Sequence, residues 1–135
     1  MSGGAPPKAR VSSARKQILI AEDDDNIAQF LTGALQGRDD VHRAVDGHEA
    51  VAMASHDPPP DLLLLDAMMP GIDGFQVAEQ THLLPDRSTV PIVFTTALDG
   101  PRDIVRGIQS GARRYLIKPF RVTEALEIVR DVLGV

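Results

Sequence analysis

The sequence predicts an α/β fold, a (βα)5 parallel sheet wound with helices on both faces. Three observations carry this expectation. Short apolar runs of strand length alternate five times with stretches at helical spacing. The connections between them are short. The run Leu62-Leu63-Leu64-Leu65 reads as a strand buried on both faces, as in a parallel sheet covered by helices.

The first sixteen residues are Gly, Pro, Ser and charge without periodicity, and are expected to form a disordered basic tail before a domain at 17–135. Ile18 to Ala21 is the first strand, and it ends in Glu22-Asp23-Asp24-Asp25. Ile27, Phe30, Leu31, Ala34 and Leu35 then mark a helix, with Asp24 or Asp25 as its N-cap and Gly37 at its end. Val41 to Val45 is the second strand, with a turn at Asp46-Gly47. Ala50, Val51, Met53 and Ala54 form a short helix stopped by Pro58-Pro59-Pro60. The leucine strand follows and ends at Asp66. Phe75, Val77 and Ala78 mark the third helix, which ends near Pro85. Pro91 to Phe94 is the fourth strand, closing with Thr95-Thr96-Ala97. Pro101 opens a fourth helix with Ile104, Val105 and Ile108 on one face, and Gly111 stops it. Tyr115 to Ile117 is the fifth strand, running into Lys118-Pro119-Phe120. Thr123 caps the last helix.

Composition excludes several classes. The 135 residues suit one domain with one core. The absence of cysteine rules out disulfides and thiolate metal sites. No apolar run reaches the ~20 residues of a membrane span, and no signal-peptide core is visible, so a cytoplasmic location is expected. Net charge is −5; residues 1–16 hold +4, which leaves −9 on the domain. An acidic domain is a poor direct binder of nucleic acid.

The chemistry collects at the carboxyl ends of the strands, where open α/β sheets hold ligands. Strands 1, 3, 4 and 5 end in Glu22/Asp23, Asp66, Thr96 and Lys118. Each has a plain alternative: a cap, a turn Asp, a strand Thr, a surface Lys. Capping explains one or two of the four acids at 22–25, and their repulsion calls for a cation or for solvent. Lys118 is the only lysine after residue 16, and a compact ammonium suits a phosphate or carboxylate at close range.

With these residues in place, the chain resembles the receiver domains of two-component response regulators. The matching motifs are ILIAEDD, DLLLLDAMMPGIDGF, PIVFTTA and YLIKPF, and the resemblance covers about Gln17 to Leu133. It implies a flavodoxin-like sheet of order 2-1-3-4-5. It implies a signalling switch rather than an enzyme, catalysing only its own phosphoryl transfer and slow dephosphorylation. Glu22, Asp23, Asp66 and the Met68 carbonyl would hold Mg²⁺, and Asp66 would accept the phosphoryl group. Thr96, the Ala97 amide and Lys118 would contact it; Thr96 and Tyr115 would switch. The Lys118–Pro119 bond would be cis. Met68 and Leu98, both apolar, would flank the path of hydrolytic water. The partners implied are a histidine kinase or phosphotransfer protein, and a separate output protein or second copy engaging helix 4, strand 5 and helix 5. No further domain is expected after Val135, and the output partner is accordingly expected to be separate. Arg102, Arg106, Arg113, Arg114, Arg121 and Arg130 would make that face basic. Arg113-Arg114 replace acids common in the family, which puts the acid-dependent dimer contacts of DNA-binding members in doubt.

The alternatives fit less well. A nucleotide-binding module needs a Gly-rich loop after strand 1, and here that loop is acidic. An Asp-nucleophile phosphatase usually carries DxD, and here the third position is Met68. A receiver-shaped interaction module that is never phosphorylated has no need for the full polar set. His42, His48, His56 and His82 lack ligand spacing and read as surface residues.

Overall fold

The structure is a computed structural model, described for residues 15–97, 105–106, 108–109 and 111–135. The elements are β1 (Gln17–Ala21), α1 (Asp25–Leu35), β2 (Asp40–Ala44), α2 (Gly47–Ala54), β3 (Leu62–Asp66), α3 (Gly74–His82) and β4 (Ile92–Thr96), then β5 (Ala112–Ile117) and a last helix (Val122–Leu133). Residues 105, 106, 108 and 109 are helical. They are labelled α4 here, and Val122–Leu133 is α5. The five strands are all parallel, in the order β2-β1-β3-β4-β5.

Period-two alternation along each strand divides the core in two. Leu19, Leu63, Leu65, Ile92 and Phe94 face α2 and α3, where they meet Ala50, Ala54, Phe75 and Val77. Ile18, Ile20, Leu62, Leu64 and Val93 face α1 and α5, where they meet Leu31, Leu35, Ala125 and Val129. All five residues of β3 are buried, as the leucine run requires. Burial of this kind contributes roughly 25 cal/mol per Å² of apolar surface and supplies most of the drive to fold.

Local capping follows the sequence in most places. Asp24 caps α1, accepting from the amides of Asn26 (2.8 Å) and Ile27 (3.1 Å). Asp73 caps α3 within a capping box completed by Gln76. Other boundaries differ from expectation. β2 lies one residue earlier than Val41–Val45, and Asp46-Gly47 begins α2 rather than forming a separate turn. α1 stops at Leu35, before Gly37. β5 starts at Ala112 instead of Tyr115, because Arg113 is taken up in a bulge opposite Ile92/Val93. α5 is capped at Arg121, whose amide donates to Glu124, and not at Thr123. Val105 and Ile108 are both exposed. Ile104 lies outside the described residues, as does the expected tail up to residue 14. Arg15 is bonded into the domain, to Asp40 (2.8 Å) and to the carbonyls of Gln36 (3.1 Å) and Asp39 (2.8 Å).

Arg87 received no role from the sequence, yet it is 4% exposed. Its guanidinium donates to the carbonyls of Ala54, Pro85 and His56 at 2.9 Å and to the Asp57 carboxylate at 3.0 Å. It thereby ties the loop after α3 to the loop after α2. Replacing it with Ala would strand the buried Ala54 carbonyl and take the donor from the part-buried contacts to Pro85, His56 and Asp57. Arg87→Ala is therefore expected to lower the unfolding free energy by about 2–4 kcal/mol. Urea unfolding measures this, and a loss below about 0.5 kcal/mol, the range of ordinary surface substitutions, would show that water replaces the clamp.

Candidate functional site

The chain leaves β1 toward β2 on one side and β3 on the other, so the strand order reverses at β1 and β3. A crevice outside the carboxyl ends of such strands is where doubly wound sheets bind ligands. Glu22 and Asp23 follow β1, and Asp66 is the last residue of β3. Glu22 is 1% exposed and Asp66 4%. Asp23 is exposed. One carboxylate oxygen from each of the three lies within 4.8 Å of the others.

Lys118 closes the site from β5. Its Nζ lies 3.3 Å from Glu22 Oε1 and 3.3 Å from Asp66 Oδ1. Its amide donates to the Thr96 carbonyl at 2.8 Å, which locks it beside the end of β4. The Lys118–Pro119 bond is cis. The Met68 amide donates to Asp66 Oδ1 at 3.1 Å, an Asx-type turn. The Ala67 amide donates to Thr95, and the Gly74 amide returns to the Ala67 carbonyl. Gly74 admits no side chain: a Cβ there would collide with the Asp66 carbonyl oxygen and lie 2.9 Å from its carbon.

Thr96 is 3% exposed at the end of β4, and Ala97 is exposed beside it. Tyr115 packs 6.1 Å from the Phe94 ring, and burial pushes its phenol pKa up. Glu22, Asp23, Asp66, Thr96 and Lys118 are thus assembled at one edge, as the strand ends imply. Leu98 and Arg102 lie outside the described residues.

The run of four acids resolves into separate duties. Asp24 caps α1, Asp25 pairs with Arg43 at 2.9 Å, and Glu22 and Asp23 turn to the site. Three of the six arginines expected to form a basic face have acidic partners. Arg106 pairs with Asp73 at 2.9 Å and lies 4.5 Å over the Phe75 ring. Arg114 pairs with Asp131 at 2.6 Å, and Arg121 sits 3.9 Å from Glu124. His82 is part-buried and bonded to the Val90 carbonyl at 2.9 Å, not a free surface residue. The Met68 amide, Arg43 and Arg106 went unnoticed as site-shaping groups. Only the D-x-M spacing, which permits an Asx turn, could have pointed to the first.

The electrostatics are those of crowded acids. Burial first, then the neighbouring Asp66, pushes the Glu22 carboxyl from 4.5 to about 7. Burial works against the Lys118 ammonium, but Asp66 and Glu22 outweigh it and hold its pKa above the ordinary value. Glu22 Oε1 is buried and makes no well-aligned hydrogen bond; the Lys118 ammonium lies 3.3 Å away. Three carboxylate oxygens gathered within 4.8 Å, two of them from buried residues, fit a hard divalent cation such as Mg²⁺.

The chain is similar to known proteins in both sequence and fold. Residues 18–130 match the family described as the response regulator receiver domain. Response regulator PleD of Caulobacter vibrioides is 41% identical over 77% of this chain, which spans 23% of PleD. The DNA-binding response regulator MtrA of Mycolicibacterium smegmatis is 39% identical over 89% of this chain, and the chain spans 51% of MtrA. The chain therefore spans about half the length of these curated relatives, or less. Among solved structures, Vibrio cholerae chemotaxis protein CheY4 superposes with a TM-score of 0.83 at 28% identity, covering 88% of this chain and 99% of CheY4. A putative response regulator from Chloroflexus aurantiacus gives 0.82 at 34% identity, covering 90% and 99%.

Between pH 4.5 and about 7 the folded chain keeps a proton on Glu22 that the unfolded chain has lost. The contribution of Glu22 to stability therefore falls as pH rises through that window. In chelator-treated protein, the unfolding free energy of the wild type minus that of Glu22→Gln should drop by about 1–3 kcal/mol across it. A difference that stays flat with pH would show that Glu22 is ionised throughout.

Proposed function

The chain belongs to the response regulator receiver domain family, and we propose that it is a signalling switch driven by phosphorylation of Asp66. The observation that carries this reading is the meeting of Asp66 with Glu22, Asp23 and Lys118 at the switch point of the sheet. An Asp66 carboxylate oxygen attacks the phosphorus of a phosphohistidine on a histidine kinase or phosphotransfer protein. The P–N bond breaks, its electron pair goes to the imidazole nitrogen, and an aspartyl phosphate is left. Glu22, Asp23, Asp66 and the Met68 carbonyl would hold Mg²⁺, which when bound would supply positive charge for the phosphoryl oxygens.

The chain's own groups do the rest. Lys118 already stands 3.3 Å from Asp66 Oδ1 and neutralises charge on a phosphoryl oxygen. The Met68 amide orients the carboxylate. Thr96 and the Ala97 amide donate to the remaining oxygens. Phosphorylation replaces the single carboxylate charge with roughly one and a half to two negative charges on the phosphoryl group at pH 7, and the turn of Thr96 toward it opens space for Tyr115. Tyr115 stands in a row with Phe94 and Phe75, ring centroids 6.1 and 4.6 Å apart, and Arg106 of α4 lies over Phe75. The surface of α4, β5 and α5 is thereby linked to the site, and a protein partner, or a second copy, reads it there. The chain acts as a switch of this kind, not as an enzyme on a separate substrate.

With acetyl phosphate and Mg²⁺, intact mass should show one phosphoryl adduct on the native chain and none on Asp66→Asn. An adduct retained by the variant would place the chemistry elsewhere. Beryllium fluoride should shift amide NMR signals at 105–117 as well as around Asp66; shifts confined to the Asp66 loops would leave no signal to transmit. Met68 is apolar and 65% exposed beside the site, so it cannot orient an attacking water. The phosphorylated form should accordingly be long-lived, and a half-life of seconds without a phosphatase would contradict this.

A further inference from the structure

We propose that Arg43 is a positioning residue for Glu22 and Asp23, strapping their loop into the shape that receives a divalent cation. The inference rests on the reading of Glu22, Asp23 and Asp66 as a metal site. Arg43 belongs to β2, an edge strand that contributes no acid to the site. Its side chain crosses to the loop after β1 and holds that loop at both ends. Nε donates to the Glu22 carbonyl at 2.9 Å, and Nη1 lies 2.9 Å from Asp25 Oδ1. Asp23, the exposed member of the trio, sits between those two anchors.

Stability alone is a poor reason for this placement. Arg43 Nη2 is buried without a hydrogen-bond partner, which carries a desolvation cost. The Asp25 side chain is 81% exposed, and an ion pair with so exposed a partner contributes little. What the guanidinium does supply is geometry, since its planar fork reaches two acceptors three residues apart from one rigid group. A four-carbon ammonium stem has the same charge without that fork.

The two roles Arg43 could play have opposite signs. As a nearby cation it would repel Mg²⁺, so its removal would tighten binding. As a strap it keeps the two acids in place, so its removal weakens binding. Groups that orient metal ligands typically cost tenfold or more in affinity when removed.

Mg²⁺ binding is measured by isothermal titration calorimetry on the full chain, for the wild type, Arg43→Lys and Arg43→Gln. Asp25→Asn, which releases one anchor at an exposed position, guards against loss of fold in the Arg43 variants. Amide hydrogen exchange at residues 22–25 in metal-free protein gives a second readout. Both Arg43 variants are expected to bind Mg²⁺ about tenfold more weakly, with faster exchange at 22–25 and a thermal midpoint close to wild type. Asp25→Asn is expected to show faster exchange in the same segment. Arg43→Lys equal to wild type, or Arg43→Gln tighter, would reduce Arg43 to a bystander charge and overturn the inference. Wild type without measurable Mg²⁺ binding would overturn the metal reading itself. Unchanged exchange in all variants would show that the loop needs no strap.

Discussion

The contact of one ammonium with two buried carboxylates governs this molecule. Glu22 and Asp66 sit at 1% and 4% exposure, and Lys118 Nζ stands 3.3 Å from an oxygen of each. Without that cation the pair would be two desolvated charges of like sign, an arrangement proteins normally avoid by protonation. The placement of Lys118 depends in turn on the register of β5. Arg113 is absorbed in a bulge, after which Arg114 to Ile117 pair with Val93 to Thr96. Lys118 then follows directly beyond Thr96. A slip of one residue would turn every side chain of β5 to the other face and carry the ammonium away from the acids.

The same edge shows how backbone close approach sets side-chain chemistry. The loop from Asp66 to Gly74 is pressed between α2 and β3. A Cβ on Gly74 would meet the Asp66 backbone, and one on Gly47 would meet the Ile72 side chain and carbonyl. Two positions without side chains therefore let the loop fold back over the end of β3. The Met68 amide reaches Asp66 Oδ1 because the loop is held this tightly. Site geometry here is a consequence of backbone packing as much as of side-chain chemistry.

The parts of this architecture legible in the sequence are those with a strong period or an abrupt stop. The leucine run ending at Asp66, the apolar run ending at Glu22 and the strand ending at Thr96 each announce a strand and its terminus. Parallel pairing then brings those termini together without further information. Boundaries set by single polar groups were less legible. The start of β5 was missed because Ala112 to Arg114 carry no apolar alternation, and pairing with β4 decided the matter. The cap of α5 went to Arg121 instead of Thr123, through a Glu124 contact that either reading allowed. Long-range polar contacts were not legible at all. Arg87 reaches residues some thirty positions away, and Arg43 and Arg106 find partners on other elements. Nothing in composition or spacing marks a buried or bridging arginine, because its partners are backbone carbonyls or ordinary acids.

Arg106 changes how the output face is to be understood. Read from sequence, its charge belongs to the basic face expected on helix 4, strand 5 and helix 5. In the fold it is committed to Asp73, whose other oxygen caps α3. One carboxylate thus serves both the helix that follows the Asp66 loop and the helix that faces outward. Its neighbours, Phe75, Phe94 and Tyr115, run across β4 toward the edge strand. A packed row of rings transmits displacement because interiors are dense and resist small continuous deformation. Coupling between sites still requires an element with two arrangements whose balance both sites bias. The Asp73–Arg106 pair joins α3 to α4 and is part-exposed, so its rupture would cost little. Under the proposed switch, a weak, part-exposed link at that junction would let a change of charge at Asp66 be felt at α4, where a strong buried one would hold both helices still.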